Sequence, residues 1–305
     1  MPFAPLHCPP PGATIAIIAP AGPASEEATR AVPALLATQG YVARLYPSCE
    51  ERDGHLAGTD VSRLADLHAA MADDSVAAIW CLRGGYGSGR LLQHIDCGVL
   101  RRHPKPLIGY SDITALHALW LREGLLALHA PMPASDLVKP GREADAEALF
   151  DWLRHGMLAG TRLAPALDAD TSRQHGSAEG RLVGGNLSLI AALCGTPWQI
   201  DTRGRILFIE DVSESVYRVD RLLLQLRHSG LLDAAAGFLL GSFTEDADPR
   251  AVIEAELLPL GKPLLGGWPA GHGTPNRPLP MGALVSLDAT AGTLTMLQDV
   301  LCPAR

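Results

Sequence analysis

The chain reads as an α/β protein: an N-terminal parallel-sheet domain followed by a smaller mixed α/β domain. Three observations predict this. Short apolar runs alternate with helix-like segments through the first half, the signature of a parallel sheet covered on both faces. A length of 305 residues exceeds one ordinary core, so two domains are expected. A composition of 47% hydrophobic and 19% charged residues is that of a globular chain rather than a disordered one.

Taken in order, 13–20 is a buried strand closed by the turn Ala21-Gly22-Pro23. A helix follows over 25–39, with Ser25 as N-cap ahead of Glu26 and Glu27 and with Gly40 as a stop. A second strand is predicted over 41–46. A helix over 57–72 is opened by Gly58-Thr59-Asp60 and shows Leu64, Leu67 and Met71 on one face. A third strand covers 76–82 and a fourth 106–108, just before a turn at Ser111. Leu116, Leu119, Trp120 and Leu121 then repeat near helical spacing. The pattern dissolves over 157–180 into small and polar residues, which predicts a connection between domains 1–156 and 181–305. The second domain shows shorter strands, a long helix over 215–228 and many Gly/Pro turns.

A serine where a strand turns into a helix lies at the carboxyl edge of the sheet, where α/β folds place their sites. Gly109-Tyr110-Ser111-Asp112-Ile113 resembles a nucleophile elbow, G-x-S-x-G, but Ile113 stands where the second glycine belongs. A helix N-cap is the bland alternative. Two further signals lie downstream. The apolar run 206–209 ends in Glu210-Asp211, and His272 sits between Gly271 and Gly273 in a Gly/Pro-rich loop. Acyl transfer needs a nucleophile, a base and an acid that orients the base, so Ser111, Glu210 and His272 are the candidate set. Alternation along the strand turns Asp211 to the opposite face, as a structural residue.

The third strand runs into Arg83-Gly84-Gly85-Tyr86-Gly87-Ser88-Gly89-Arg90. Neither phosphate-binding pattern fits: Arg90 replaces the lysine of one and the last glycine of the other, and Leu91 stands where the first needs Ser or Thr. An oxyanion-hole loop, with its free backbone amides as donors, fits better than a plain turn. Ser88 competes with Ser111 as nucleophile, but a serine among glycines in a loop has no fixed geometry.

The net charge of -8 argues against nucleic acid or an anionic membrane surface as the main partner. Six scattered cysteines without a C-x-x-C pair predict buried thiols rather than a disulfide framework. No H-E-x-x-H or other metal spacing occurs, so neither a metal nor a cofactor is expected. The N-terminal residues show no secretory pattern, and no stretch approaches a membrane span; a cytoplasmic location is expected.

Five segments together resemble the LD-carboxypeptidases, or muramoyltetrapeptide carboxypeptidases, a family of serine peptidases. They are Arg83-Gly84-Gly85-Tyr86-Gly87, Gly109-Tyr110-Ser111-Asp112, Gly184-Gly185-Asn186-Leu187, Ile209-Glu210-Asp211 with Tyr217-Arg218-Asp220-Arg221, and Gly271-His272-Gly273. The resemblance runs over about residues 13–300. It implies a Ser-Glu-His triad of Ser111, Glu210 and His272, and an oxyanion hole from the amides of Gly84, Gly85 and Asp112. It also implies an N-terminal domain similar to class I glutamine amidotransferases and a homodimer. The activity implied is release of the terminal D-alanine from murein tetrapeptides during cytoplasmic cell-wall recycling.

A sister branch hydrolyses peptidyl-nucleotides of the microcin C type and carries tryptophans to stack on the base. Here only Trp152 and Trp198 lie between residues 131 and 200, and Trp198 sits in an apolar segment. A non-catalytic module binding small peptides or sugars is the alternative from another class. Arg83 and Arg218 are the candidates to hold the substrate carboxylate. Asn186 is either a substrate contact or a turn residue, and Asp220 with Arg221 reads as a structural ion pair.

Overall fold

A computed structural model of the chain describes residues 6–166, 171–244 and 246–302. In chain order the strands of the first half are β1 (Leu6–His7), β2 (Thr14–Ile18), β3 (Val42–Leu45), β4 (Val76–Cys81), β5 (Leu107–Gly109) and β6 (Ala127–His129). Their helices are α1 (Glu26–Thr38), α2 (Asp60–Ala72), α3 (Cys97–Arg102), α4 (Thr114–Arg122) and α5 (Glu143–His155). The second half contains β7 (Arg162–Leu163), β8 (Arg173–Gln174), β9 (Ser177–Asn186), α6 (Leu187–Leu193), β10 (Ile206–Val212), α7 (Val216–His228) and α8 (Leu231–Ala234). It ends with β11 (Gly237–Thr244), α9 (Arg250–Leu257), β12 (Leu264–Leu265), β13 (Leu279–Met281), β14 (Leu284–Asp288), β15 (Thr293–Met296) and β16 (Leu301–Cys302).

Two sheets organise the molecule. The first has the order β13-β6-β5-β4-β2-β3 and is parallel except for β13. Its central strands are apolar along their whole length, as a sheet covered on both faces requires: Ile15, Ile17, Ile79, Trp80, Leu107 and Ile108 are fully buried. Each such large side chain contributes roughly 1.5–3 kcal/mol on leaving water. The second sheet has the order β7-β15-β14-β9-β10-β11-β12-β8, with a parallel centre from β9 to β12 and antiparallel flanks.

Local signals set the helix starts. Ser25 Oγ accepts from the Ala28 amide, and Thr59 Oγ1 accepts from the Ser62 amide. That second cap places the start of α2 at Asp60, three residues after the expected one. The stretch 157–180, read from its composition as a connection, differs: β7, β8 and the start of β9 lie in it and pair into the second sheet. These are short flanking pairings, half exposed, and too polar to register as apolar runs; residues 167–170 lie outside the described set. The halves are also interleaved. β13 comes from the C-terminal part yet pairs antiparallel with β6 of the first sheet, and β16 pairs with β1.

Among the described residues no helix is long and apolar enough to cross a membrane, and no group of three or more His, Cys, Asp or Glu side chains could hold a metal ion. All six cysteines are free thiols.

Candidate active site

β4 and β5 are adjacent and parallel, so the loops leaving their carboxyl ends emerge side by side. One carries Arg83, Gly84 and Gly85, the other Tyr110, Ser111 and Asp112. Ser111 has φ 63°, one of two non-glycine residues in the left-handed region among the described residues. A side chain held there costs of order 1 kcal/mol or more, and such strain collects at functional sites. Gly84 packs directly on it: a Cβ at Gly84 would lie 2.9 Å from Ser111 Cβ and 3.0 Å from its Oγ. Only a glycine lets the backbone approach the hydroxyl this closely. Ile113 fills the place of the second elbow glycine and sits under Gly109, where a Cβ would meet Ile113 Cγ1 at 3.0 Å.

The two loops are bonded to each other. Asp112 Oδ2 accepts from the Ser88 amide at 2.8 Å, and Ser88 Oγ donates to the Asp112 carbonyl at 2.5 Å. Ser88 is fully buried, so its hydroxyl is a fastener. Burial pushes the Asp112 carboxyl up, against the lowering effect of the Ser88 bonds. Arg63, also fully buried, donates to the carbonyls of Pro20 and Gly87 and fixes the glycine loop from below.

Glu210 lies on β10, at a register shift between Ile209 and Asp211 against β11. The shift brings Gly241 and Gly271 against the Glu210 side chain, with would-be Cβ positions 3.0 Å and 2.9 Å from its Cβ. Glu210 is fully buried, and its Oε2 lies 2.7 Å from His272 Nδ1. The other ring nitrogen, Nε2, lies 3.1 Å from Ser111 Oγ. Residues 161 and 62 positions apart thus meet in one hydrogen-bonded row. Burial drives the His272 pKa down, but the charge and hydrogen bond of Glu210, with Asp211 and Asp136 behind it, outweigh burial and leave it raised.

Bonds within the loop and to distant segments hold His272 in place. The Gly271 amide donates to Asn276 Oδ1 at 3.0 Å, the Asn276 amide to Asp145 Oδ1 at 3.0 Å, and the Gly273 amide to Ser242 Oγ at 2.8 Å. Arg142 pairs with Asp145 at 2.9 Å and donates to the Gly273 carbonyl. The Tyr110 ring lies 4.8 Å from the imidazole, its hydroxyl donating to Asp136 at 3.0 Å. The contacts to Asp145, Ser242, Gly273 and Asp136 join distant segments, so these partners carry no sequence signal.

The row opens into a cleft of about 790 Å³ lined by Gly84, Gly85, Ser111, Tyr110 and His272 and by the start of α1. Arg83 lines it and donates to the Pro23 carbonyl at 2.6 Å; Lys139 and Arg142 add two cations. Arg218 does not line it: it lies half exposed on α7, paired with Glu214 at 2.7 Å. Asn186 lies near the row, but its side chain is committed: Oδ1 caps Leu189 and Nδ2 donates to Asp211 at 2.7 Å. Asp211 also accepts from the Ser188 amide and hydroxyl. No Asp220–Arg221 pair forms among the described residues, since neighbours on a helix diverge; Arg221 lies over the Tyr217 ring instead.

Two family models match the chain, the LD-carboxypeptidase N-terminal domain over residues 15–130 and the LD-carboxypeptidase C-terminal domain over residues 179–287. A probable murein peptide carboxypeptidase from Bacillus subtilis is 38% identical over 295 residues, covering 92% of this chain and 91% of that protein. The chain belongs to the LD-carboxypeptidase family. A solved muramoyltetrapeptide carboxypeptidase from Oxalobacter formigenes has the same LD-carboxypeptidase architecture. It superposes with TM-score 0.84 at 30% identity, covering 95% of this chain and 100% of that one. The microcin C7 self immunity protein MccF superposes with TM-score 0.87 at 24% identity over 99% of each chain, a likeness of fold.

Proposed function

We propose that this protein is a serine LD-carboxypeptidase that releases the terminal D-alanine from murein tetrapeptides through an acyl-enzyme. The observation that carries the reading is the row Ser111 Oγ, His272 Nε2, His272 Nδ1 and Glu210, at 3.1 and 2.7 Å. Ser111 Oγ attacks the carbonyl of the last peptide bond while His272 takes its proton. Glu210 accepts from Nδ1–H, fixes the tautomer and stabilises the imidazolium. The negative oxygen of the tetrahedral intermediate is held by amides of Gly84, Gly85 and Asp112. His272 then gives its proton to the leaving D-alanine nitrogen, and water enters by the reverse sequence to free the shortened peptide.

Arg83 is the cation nearest in role to a carboxylate anchor, since it lines the cleft and is tethered at Pro23. D over L selection at the last residue follows from where that carboxylate is held, because small side chains alone discriminate weakly. The peptidyl-nucleotide alternative has less support: Tyr110 and His272 supply the only aromatic rings lining the cleft among the described residues, and Trp152 and Trp198 pack partly buried elsewhere. A non-catalytic module gives no reason for a buried acid aligned on a histidine and a strained serine. The homodimer and the place in cytoplasmic cell-wall recycling are expectations from the family. Incubation with murein tetrapeptide, followed for D-alanine, tests the reading; turnover of L-Ala and D-Ala termini at equal rates would overturn the LD assignment.

A further inference from the structure

A second cleft, of about 490 Å³, lies at the far end of the elements that carry the triad. β10 runs from Arg205 at its entry to Glu210, roughly 16 Å at about 3.3 Å per residue. α4 starts beside Ser111 and ends at Arg122. β9 passes Arg181 and finishes at Asn186, whose amide donates to Thr114 Oγ1 at 3.0 Å. One end of this α4–β9–β10 contact therefore forms the catalytic row, and the other end opens into the second cleft.

The cleft's lining is strongly basic in a chain of net charge -8: four arginines, 101, 122, 181 and 205, face two carboxylates, Glu123 and Asp201. Both carboxylates are already engaged, Glu123 by Arg101 and Asp201 by Arg203 and Arg205. Arg122 donates to the Pro197 carbonyl, a neutral acceptor that leaves its charge uncompensated. Arg181 donates through one guanidinium nitrogen to the Gly282 carbonyl at 2.8 Å and to Gln298 Oε1 at 3.2 Å, both neutral acceptors, and burial and then the nearby Arg205 charge lower its pKa. Guanidiniums gathered from three separated segments around a concave space of ligand size match a multiply charged anion.

We propose that this cleft binds a small phosphorylated metabolite, its phosphate oxygens taken by Arg122, Arg181 and Arg205. Arg122 comes from the first half and the other two from the second, so the bound anion bridges the halves whose facing ends carry Ser111 and Glu210. The inference is independent of the hydrolase reading, since it concerns residues outside the catalytic row.

Calorimetric titration with inorganic tripolyphosphate at about 0.15 M ionic strength, where diffuse attraction is largely screened, tests it. The wild-type protein binds one equivalent, and Arg122→Gln and Arg205→Gln each weaken binding by about tenfold or more, the loss of a charge-assisted bond. Arg102→Gln, which removes the same charge just outside the cleft, and Arg83→Gln, in the catalytic cleft, leave affinity within about twofold. Arg122 is exposed at a helix end, so its variant keeps the fold and decides the matter alone. Absence of saturable binding, undiminished binding by Arg122→Gln, or loss confined to Arg83→Gln overturns the proposal.

Discussion

The Ser111 turn and the His272 loop face each other across 3.1 Å, yet they are held in different ways. The serine is fixed by neighbours in sequence and by the adjacent strand: a left-handed φ of 63°, Gly109 above Ile113, and Gly84 against its Cβ. The histidine loop is fixed by Asn276 within it and by Asp145, Arg142 and Ser242 from far along the chain. The difference teaches that a nucleophile can be built by local backbone geometry, whereas its base depends on the whole tertiary arrangement. Damage to the first should act on chemistry alone; damage to the second should act on chemistry and stability together.

Removing the nucleophile breaks the comparison most sharply. Ser111→Ala should lower D-alanine release by about 10⁶-fold, to the residual that binding and oxyanion contacts supply, with an unchanged melting temperature. Relief of the strained φ falls short, since alanine is no easier there than serine. Glu210→Gln keeps the shape of the row and removes the charge, and should cost about 10²- to 10⁴-fold in kcat/KM, less than Ser111→Ala.

Gly84→Ala tests the local half. The added methyl would lie 2.9 Å from Ser111 Cβ, so the serine or the loop must shift. A loss of about 10²- to 10³-fold in kcat is expected, the effect of one misplaced oxyanion donor. A variant with wild-type kcat would show that this amide is not used.

Asn276→Ala tests the histidine half. Asn276 is buried, and loss of its side chain leaves the Gly271 amide without its acceptor, while the backbone amide at 276 keeps its bond to Asp145. Stability should fall by about 1–3 kcal/mol, and kcat by about tenfold as His272 wanders. A fall in stability with kcat untouched would mean that the loop holds its shape without Asn276.

The smallest effect expected is on pH. His272 must be neutral to accept a proton, and its pKa is raised, so kcat/KM should climb through a midpoint above the usual 6.5. Two other histidines behind Tyr110 do not confuse the profile: burial pushes His117 down to about 3 and His129 well below its ordinary value. In Glu210→Gln the raising charge is gone while burial remains, so the residual activity should show its acid limb at lower pH. An unmoved limb would assign the titration to another group.

Much of this was legible in the sequence, for a physical reason. Strands β2, β4 and β5 are continuous apolar runs, and the glycines at 84, 85 and 109 mark turns that L side chains resist. The rival serine at 88 could be ranked, though the reason for its burial, two bonds to Asp112, could not be read. Polar half-exposed strands such as β7 and β8 were invisible because their pairing comes from distant partners. Arg218 drew notice only through a motif, and its partner Glu214 lies one helical turn away on α7's approach, outside the cleft. Tyr110, Asp136, Asp145 and Asn276 share this obscurity: nothing in their own segments says which distant group they meet.

The central claim is that Ser111 is the nucleophile of a D-alanine-releasing hydrolase. It is tested most directly by following D-alanine release from murein tetrapeptide with wild-type, Ser111→Ala and Ser88→Ala proteins, each checked for folding by its melting temperature. The account predicts turnover by wild type, none above the residual with Ser111→Ala, and partial activity with Ser88→Ala, whose fastener to Asp112 is lost. Activity retained by a folded Ser111→Ala protein, or abolished only in Ser88→Ala, would contradict it.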